Sequence, residues 1–355
     1  MTVIYAIFAT EPSGKIMWKT LFVLPLLFAE LASGQTIKRE DFMIASDPGV
    51  RIFVREITGR KRSRKPPILL LHGGGSGAVA SFDLPVAGGS LAEDLVKQGQ
   101  HVFIMDARGW ETSTCPDYDT LKRWTIAASS VEVSHDIDAV VDFIRERTKT
   151  KQITLFGWAT GGQWMGYYAC IYPNRVAALI MLNSLYNEKA PWDFTDAFRS
   201  PLDTSQFNYA STHVYRKASK TQLLESWNKS IPDADKSKWR DPALAELYAA
   251  TAVGFYEDSI LAVPGGYRAE AFYTAQGRGQ WHAKEIRVPI LYIRGANDNW
   301  SRPEDLLALQ LRLANTPKKQ FVTLPEGSHH VFLDRPEKGR TQLIQEIIAF
   351  NVKRK

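Results

Sequence analysis

Four short stretches of this 355-residue chain bring together residue types that perform nucleophilic and acid–base chemistry. The first is Phe156-Gly157-Trp158-Ala159-Thr160-Gly161-Gly162, followed by a helical pattern from Gln163. A strand, a sharp turn flanked by small residues and then a helix is the frame of a nucleophile elbow, whose usual sequence is G-x-S-x-G. The frame glycines stand at Gly157 and Gly161, but the central position is Ala159. The second stretch, His72-Gly73-Gly74-Gly75-Ser76, sets glycines directly after an apolar run. Backbone N–H groups there can point into a site unobstructed by side chains. The last two are Gly295-Ala296-Asn297-Asp298 and Gly327-Ser328-His329-His330. An imidazole held by a carboxylate is a general base for a hydroxyl. Taken singly, each stretch has an ordinary explanation: glycine turns commonly follow strands, and Asp298 or His329 would suit any surface loop. Their order, at the ends of successive strands, is what argues for one site.

The strands themselves are legible. Ile68-Leu69-Leu70-Leu71, Val102-Phe103-Ile104-Met105, Ile153-Thr154-Leu155-Phe156, Leu179-Ile180-Met181-Leu182 and Ile290-Leu291-Tyr292-Ile293 are near-continuous apolar runs. Such runs are expected of parallel strands buried on both faces. Val50, Ile52 and Val54 alternate with polar residues, as in a half-exposed antiparallel strand. Helical patterns separate the runs, as with Ile137, Val140, Val141 and Ile144. Strand–helix alternation of this kind gives an α/β fold with a doubly wound, mostly parallel sheet. The rhythm stops across residues 187–286, which are rich in Trp, Tyr and Phe and show helical patterns over 222–228 and 242–252. A helical insertion is therefore expected over the C-terminal edge of the sheet, with the core formed by residues 35–186 and 287–355.

Composition narrows the function classes. Hydrophobic residues make up 45% and charged residues 23%, values ordinary for a globular enzyme. The formal charge of +6 derives in part from one run, Arg60-Lys61-Arg62-Ser63-Arg64-Lys65, read as a solvated loop. No nucleic-acid-binding module accompanies it, so no nucleic-acid partner is expected. The two cysteines imply no disulfide framework, and no zinc-type spacing or cofactor motif occurs. Residues 1–34 have the form of a signal peptide: basic Lys15 and Lys19, an apolar run over 21–27, then Ala32-Ser33-Gly34. A secreted or periplasmic protein is expected, with an N-terminal anchor as the alternative. The run is too short for a comfortable membrane span. The sequence specifies no oligomeric state.

Together the elbow frame, Asp298 and His329 resemble the α/β-hydrolase superfamily, over residues 41–352. Two further motifs agree. Asp106-Ala107-Arg108-Gly109-Trp110-Glu111-Thr112-Ser113 is similar to the family's D-x-R-G-x-G-x-S segment, with Glu111 in place of a glycine. The stretch from His329 to Pro336 resembles the family's histidine loop, and the distance to Pro336 selects His329 over His330. The resemblance implies an eight-stranded-type sheet with a cap. A hydroxyl at position 159 would attack an acyl carbon, His329 would take its proton, and Asp298 would orient the imidazole. It also implies an oxyanion hole from the N–H of Thr160 and that of Gly74, or less readily Gly75. Asn183, after the strand ending at Leu182, disfavours the variant with its acid there.

Alanine cannot attack a carbonyl, so Ala159 has three explanations. It replaces the serine of an active hydrolase; or it is natural, and a His329–Asp298 dyad activates water, cleaves C–C bonds or supports cofactor-free oxygenation; or the protein only binds a ligand. The intact Asp298 and His329 favour the first and weaken the last. The expected partner is a bulky, lipophilic carboxylic ester or lactone, because aromatic residues crowd the cap. His72, Trp158, Trp281 and Trp300 are the candidate substrate-contacting side chains.

Overall fold

The apolar runs become the buried centre of one sheet. A computed structural model describes residues 37–60, 63–118, 126–210 and 214–351. The signal-type segment and part of the basic run lie outside the described residues. Strand β1 (Lys38–Ala45) pairs antiparallel with β2 (Arg51–Thr58), which pairs antiparallel with β4 (Val102–Met105). From β4 onward the neighbours are parallel: β3 (Ile68–Leu71), β5 (Ile153–Trp158), β6 (Val176–Leu182), β9 (Ile290–Gly295) and β10 (Lys319–Leu324). The eight strands run in the order β1-β2-β4-β3-β5-β6-β9-β10. Every residue of β3, β4, β5, β6 and β9 is buried, whereas the edge strand β10 is mostly half-exposed. That contrast is the reason the central strands show no alternation.

Helices flank the sheet. The core ones are α1 (Ala78–Phe82), α2 (Leu91–Lys97), α3 (Ser130–Thr148), α4 (Thr160–Ile171), α9 (Pro303–Arg312) and α10 (Arg340–Phe350). Helix α3 starts at a capping box, in which the Ser129 side chain accepts from the Glu132 N–H and Glu132 reaches back to Ser129. Its buried stripe contains Val133, Ile137, Val140, Val141 and Ile144.

Between β6 and β9 the chain forms α5 (Thr195–Phe198), α6 (Lys220–Asn228), α7 (Pro242–Gly254) and α8 (Tyr267–Ala275). It also forms an antiparallel ribbon, β7 (Tyr215–Ala218) with β8 (Leu261–Pro264), so the insertion is not purely helical. Each ribbon strand has only four residues. Tyr-Arg-Lys-Ala lacks an apolar run and Leu-Ala-Val-Pro ends on proline, so neither carries a strand signal in sequence.

Candidate active site

Six parallel strands end at the same rim, and the elbow follows β5. Ala159 has φ 51° and ψ −116°, a conformation that costs about 1–3 kcal/mol for a residue with a Cβ. Its surroundings hold it there: the Ala159 N–H donates to Leu182 O at 2.8 Å, and Ala159 O accepts from Ser184 Oγ at 2.8 Å. The turn is also sterically exacting. A Cβ on Gly157 would stand 2.3 Å from Gly161 O, and one on Gly161 would stand 2.4 Å from His72 O. Glycine at both places lets the first turn of α4 press onto the ends of β3 and β5. The Thr160 N–H, first in the helix, has no intrahelical acceptor.

His329 and Asp298 meet. His329 Nδ1 and Asp298 Oδ1 are 2.6 Å apart, with the carboxylate fully buried. The carboxylate orients the ring so that Nδ1 carries the proton and Nε2 is left basic. Asp298 itself is fixed by N–H donors from Trp300 at 3.1 Å and Ser301 at 2.8 Å, and by the Ser301 hydroxyl. Buried Arg294, on β9, braces the same turn through Asp298 O at 3.0 Å and Ser301 O at 3.1 Å. His330 faces another way. Its Nε2 lies 3.2 Å from the Tyr248 hydroxyl, and burial, with the charges of His329 and Arg240, drives its pKa well down. A ring held neutral and bonded to the cap is a wall, not a base.

Asn183 links these loops and was not singled out from sequence as a site residue. Its Oδ1 accepts from the Gly295 N–H at 2.7 Å, and its Nδ2 donates to Ser328 O and His329 O, each at 3.0 Å. Trp158 Nε1 donates to the same His329 carbonyl at 3.0 Å. One buried amide therefore sets the strand carrying the acid against the loop carrying the base. Its one sequence signal is its place directly after β6.

The glycine loop after β3 closes the site from the other side. A Cβ on Gly73 would lie 3.2 Å from Ala159 Cβ, and one on Gly74 would lie 2.3 Å from the Tyr267 ring of the cap. Two expected substrate contacts fail. His72 is fully buried, and its Nδ1 contacts Gly73 O at 2.6 Å while Nε2 accepts from the Ala107 N–H at 3.1 Å. Packing between Trp110 and Trp164 removes it from the cavity, and burial pushes its pKa down to about 4. It positions the loop as a neutral ring. Trp281 is wedged against Gly166, where a Cβ would come within 2.6 Å of the indole, and lies tilted against the Tyr186 ring at 5.2 Å. It packs core and does not reach the site.

The remaining candidates converge. Gly74, Gly75, Trp158, Ala159, Thr160, Trp300 and His329 all line one cavity of ≈ 280 Å³. The insertion contributes Phe194, Phe198, Arg216, Leu223, Tyr248 and Tyr267 to its walls. His329, the elbow and the glycine loop thus face a space with aromatic sides. Among the described residues no group of three or more His, Cys, Asp or Glu side chains is disposed to hold a metal ion.

The profile of the alpha/beta hydrolase fold family matches residues 66–336. The chain is 20% identical over 299 residues to an Arabidopsis thaliana 1-acylglycerol-3-phosphate O-acyltransferase, covering 80% of this chain and 67% of that protein. Among solved structures, it is similar to Est816, an N-acyl homoserine lactone degrading enzyme: TM-score 0.58, 16% identity, 87% of this chain and all (100%) of that one. A thermophilic esterase from Thermogutta terrifontis gives a TM-score of 0.57 at 17% identity, over 89% of this chain and 100% of that chain. At such identities the structural likeness speaks to fold alone.

Proposed function

Because the chain belongs to the α/β-hydrolase family, we propose that its cavity is built to hydrolyse a carboxylic ester or lactone with a bulky apolar part. The observation that carries this reading is the His329–Asp298 pair opening into the same aromatic-walled cavity as the elbow. In this scheme a hydroxyl on the elbow attacks the acyl carbon while His329 Nε2 takes its proton, and Asp298 stabilises the resulting imidazolium. The N–H groups of Thr160 and Gly74 hold the oxyanion, and His329 returns the proton to the leaving alcohol. A water deprotonated by the same imidazole then attacks the acyl-enzyme, releasing the acid and restoring the hydroxyl.

Ala159 closes the covalent route in this chain. Loss of the serine from such a triad costs about a million-fold in turnover, with roughly a thousand-fold over water left to the rest of the site. The elbow retains its costly backbone geometry although alanine gains nothing from it, which favours a site shaped for a nucleophile. The intact dyad supports a second reading, in which His329 activates a water directly.

The test is Ala159→Ser assayed with 4-nitrophenyl hexanoate. The main reading expects turnover to rise by at least a thousand-fold over the parent and to be lost when His329→Ala is added. Turnover equal in the parent and the Ala159→Ser protein, and dependent on His329, supports the dyad. Tight binding without hydrolysis by either protein indicates a carrier and overturns both.

A further inference from the structure

We propose that Arg216 makes this cavity a receptor for an anionic ester, one whose carboxylate lies a short spacer away from the reacting carbonyl. The cavity wall contains three cationic side chains, Arg216, Lys217 and Arg268, and no carboxylate. Arg216 Nη1 donates to Gly74 O at 3.0 Å, and a Cβ on Gly75 would lie 3.4 Å from the same nitrogen. The guanidinium is thus laid along the glycine loop to which the proposed function assigns an oxyanion donor. Among the described residues, no carboxylate stands within ion-pair distance of it.

A guanidinium has five N–H donors in a planar fork that matches a carboxylate. Here the Gly74 carbonyl takes only one of them by direct bond. The second arginine heightens the requirement. Arg268, in the first turn of α8, has its pKa lowered by burial and by repulsion from Arg216. Arg268 Nε donates to Gly265 O at 3.2 Å, and its charge adds to the positive side of the cavity wall. The ribbon provides the arrangement: β7 carries Arg216, and β8 leads directly into α8.

The same cavity also has apolar lining, with Phe194, Phe198, Leu223 and Trp300. The ligand that fits both kinds of lining is amphipathic, with a hydrocarbon or aryl portion and a carboxylate beside the ester. The ester itself rests on the hydrolase reading above, whereas the anion seat does not require turnover.

Binding to the unmodified chain tests it, because Ala159 leaves the ligand intact. The probes are hexyl hydrogen succinate and its neutral methyl ester, hexyl methyl succinate, titrated by quenching of tryptophan fluorescence. The half-ester is expected to bind at least tenfold tighter at 50 mM salt, with the preference falling at 1 M salt. In Arg216→Met the preference is expected to drop below threefold. Should that variant fail to fold, the salt series on the unmodified chain decides alone. Equal affinity for the two probes, or a preference unmoved by Arg216→Met and by salt, overturns the proposal. If Ala159→Ser hydrolyses no ester while the half-ester preference holds, the hydrolase reading fails and the anion seat stands.

Discussion

Replacing Glu111 by glutamine should stabilise the protein, and only above mildly acidic pH. Glu111 occupies the position where the family segment has a glycine, and it keeps a glycine-like φ of 41°. Its Oε1 accepts from the Gly77 N–H at 2.9 Å, and Asp106 Oδ1 accepts from the Ala78 N–H at 2.6 Å. The two carboxyls share one pocket: a Cβ on Gly77 would stand 2.4 Å from Glu111 Cδ and 2.7 Å from Asp106 Oδ1. Asp106 Oδ2 and Glu111 Oε2 are buried without a partner of hydrogen-bonding geometry among the described residues. Burial pushes Asp106 up to about 7, and burial together with the Asp106 charge raises Glu111 well above the ordinary range.

Both groups therefore hold a proton more tightly folded than unfolded. Their contribution is fully present below about pH 4, where both states are protonated; that of Asp106 is lost as the pH climbs through about 7, and that of Glu111 falls away from the same starting pH. Each retained proton costs about 1.4 kcal/mol per pH unit across that window, or about 2–3 kcal/mol between pH 5 and 7. Glu111→Gln preserves an acceptor for the Gly77 N–H, removes one of the two titrating groups and offers Asp106 an amide donor, while Asp106 itself stays raised by its burial. Urea unfolding of parent and variant from pH 4.5 to 8.5 measures the difference. Glu270 and Asp334 are also raised by burial, to about 7 and about 6, so the parent alone is not diagnostic but the difference between the two proteins is. The gain should be small at pH 5 and rise by about 2–3 kcal/mol between pH 5 and 7. A difference that is flat with pH, or largest at acid pH, refutes the shared-proton pair.

Other substitutions separate positioning from packing. In the Ala159→Ser background, Asn183→Ala should lower kcat by about ten- to a hundred-fold with little change in KM, because the His329 loop loses its tie to β9 while the cavity walls stay in place; steady-state kinetics read the split. Trp281→Ala should cost about 3–5 kcal/mol of stability by thermal or urea unfolding and leave hexyl hydrogen succinate affinity unchanged, since the indole fills space beside Gly166. Gly74→Ala should abolish activity restored by Ala159→Ser, because the new methyl collides with the Tyr267 ring; combining it with Tyr267→Ala should recover part of it.

How much of this was legible in the sequence differed with the physics of each region. Fully buried parallel strands must be apolar throughout, so β3, β4, β5, β6 and β9 announced themselves. The elbow, the acid and the histidine were likewise readable, because each sits in a turn whose steric demands restrict the residue types. The ribbon was not, since four residues stabilised by pairing across the insertion need no internal pattern. Trp281 and His72 misled for a related reason: residue type marks a large apolar or titratable side chain but not which side of an element it leaves from. Asn183 and Arg216 act through partners far along the chain, at Ser328 and His329 for one and at Gly74 for the other, and no local pattern records such a pairing.

A fluorophosphonate probe tests most directly whether the elbow, His329 and Asp298 form one catalytic unit. Intact mass spectrometry of Ala159→Ser after exposure to the probe should show a single adduct at position 159. The parent chain, and Ala159→Ser carrying His329→Ala, should remain unlabelled over the same period. Labelling at position 159 that proceeds equally fast without His329, or no labelling of a folded Ala159→Ser protein, would contradict the proposed site.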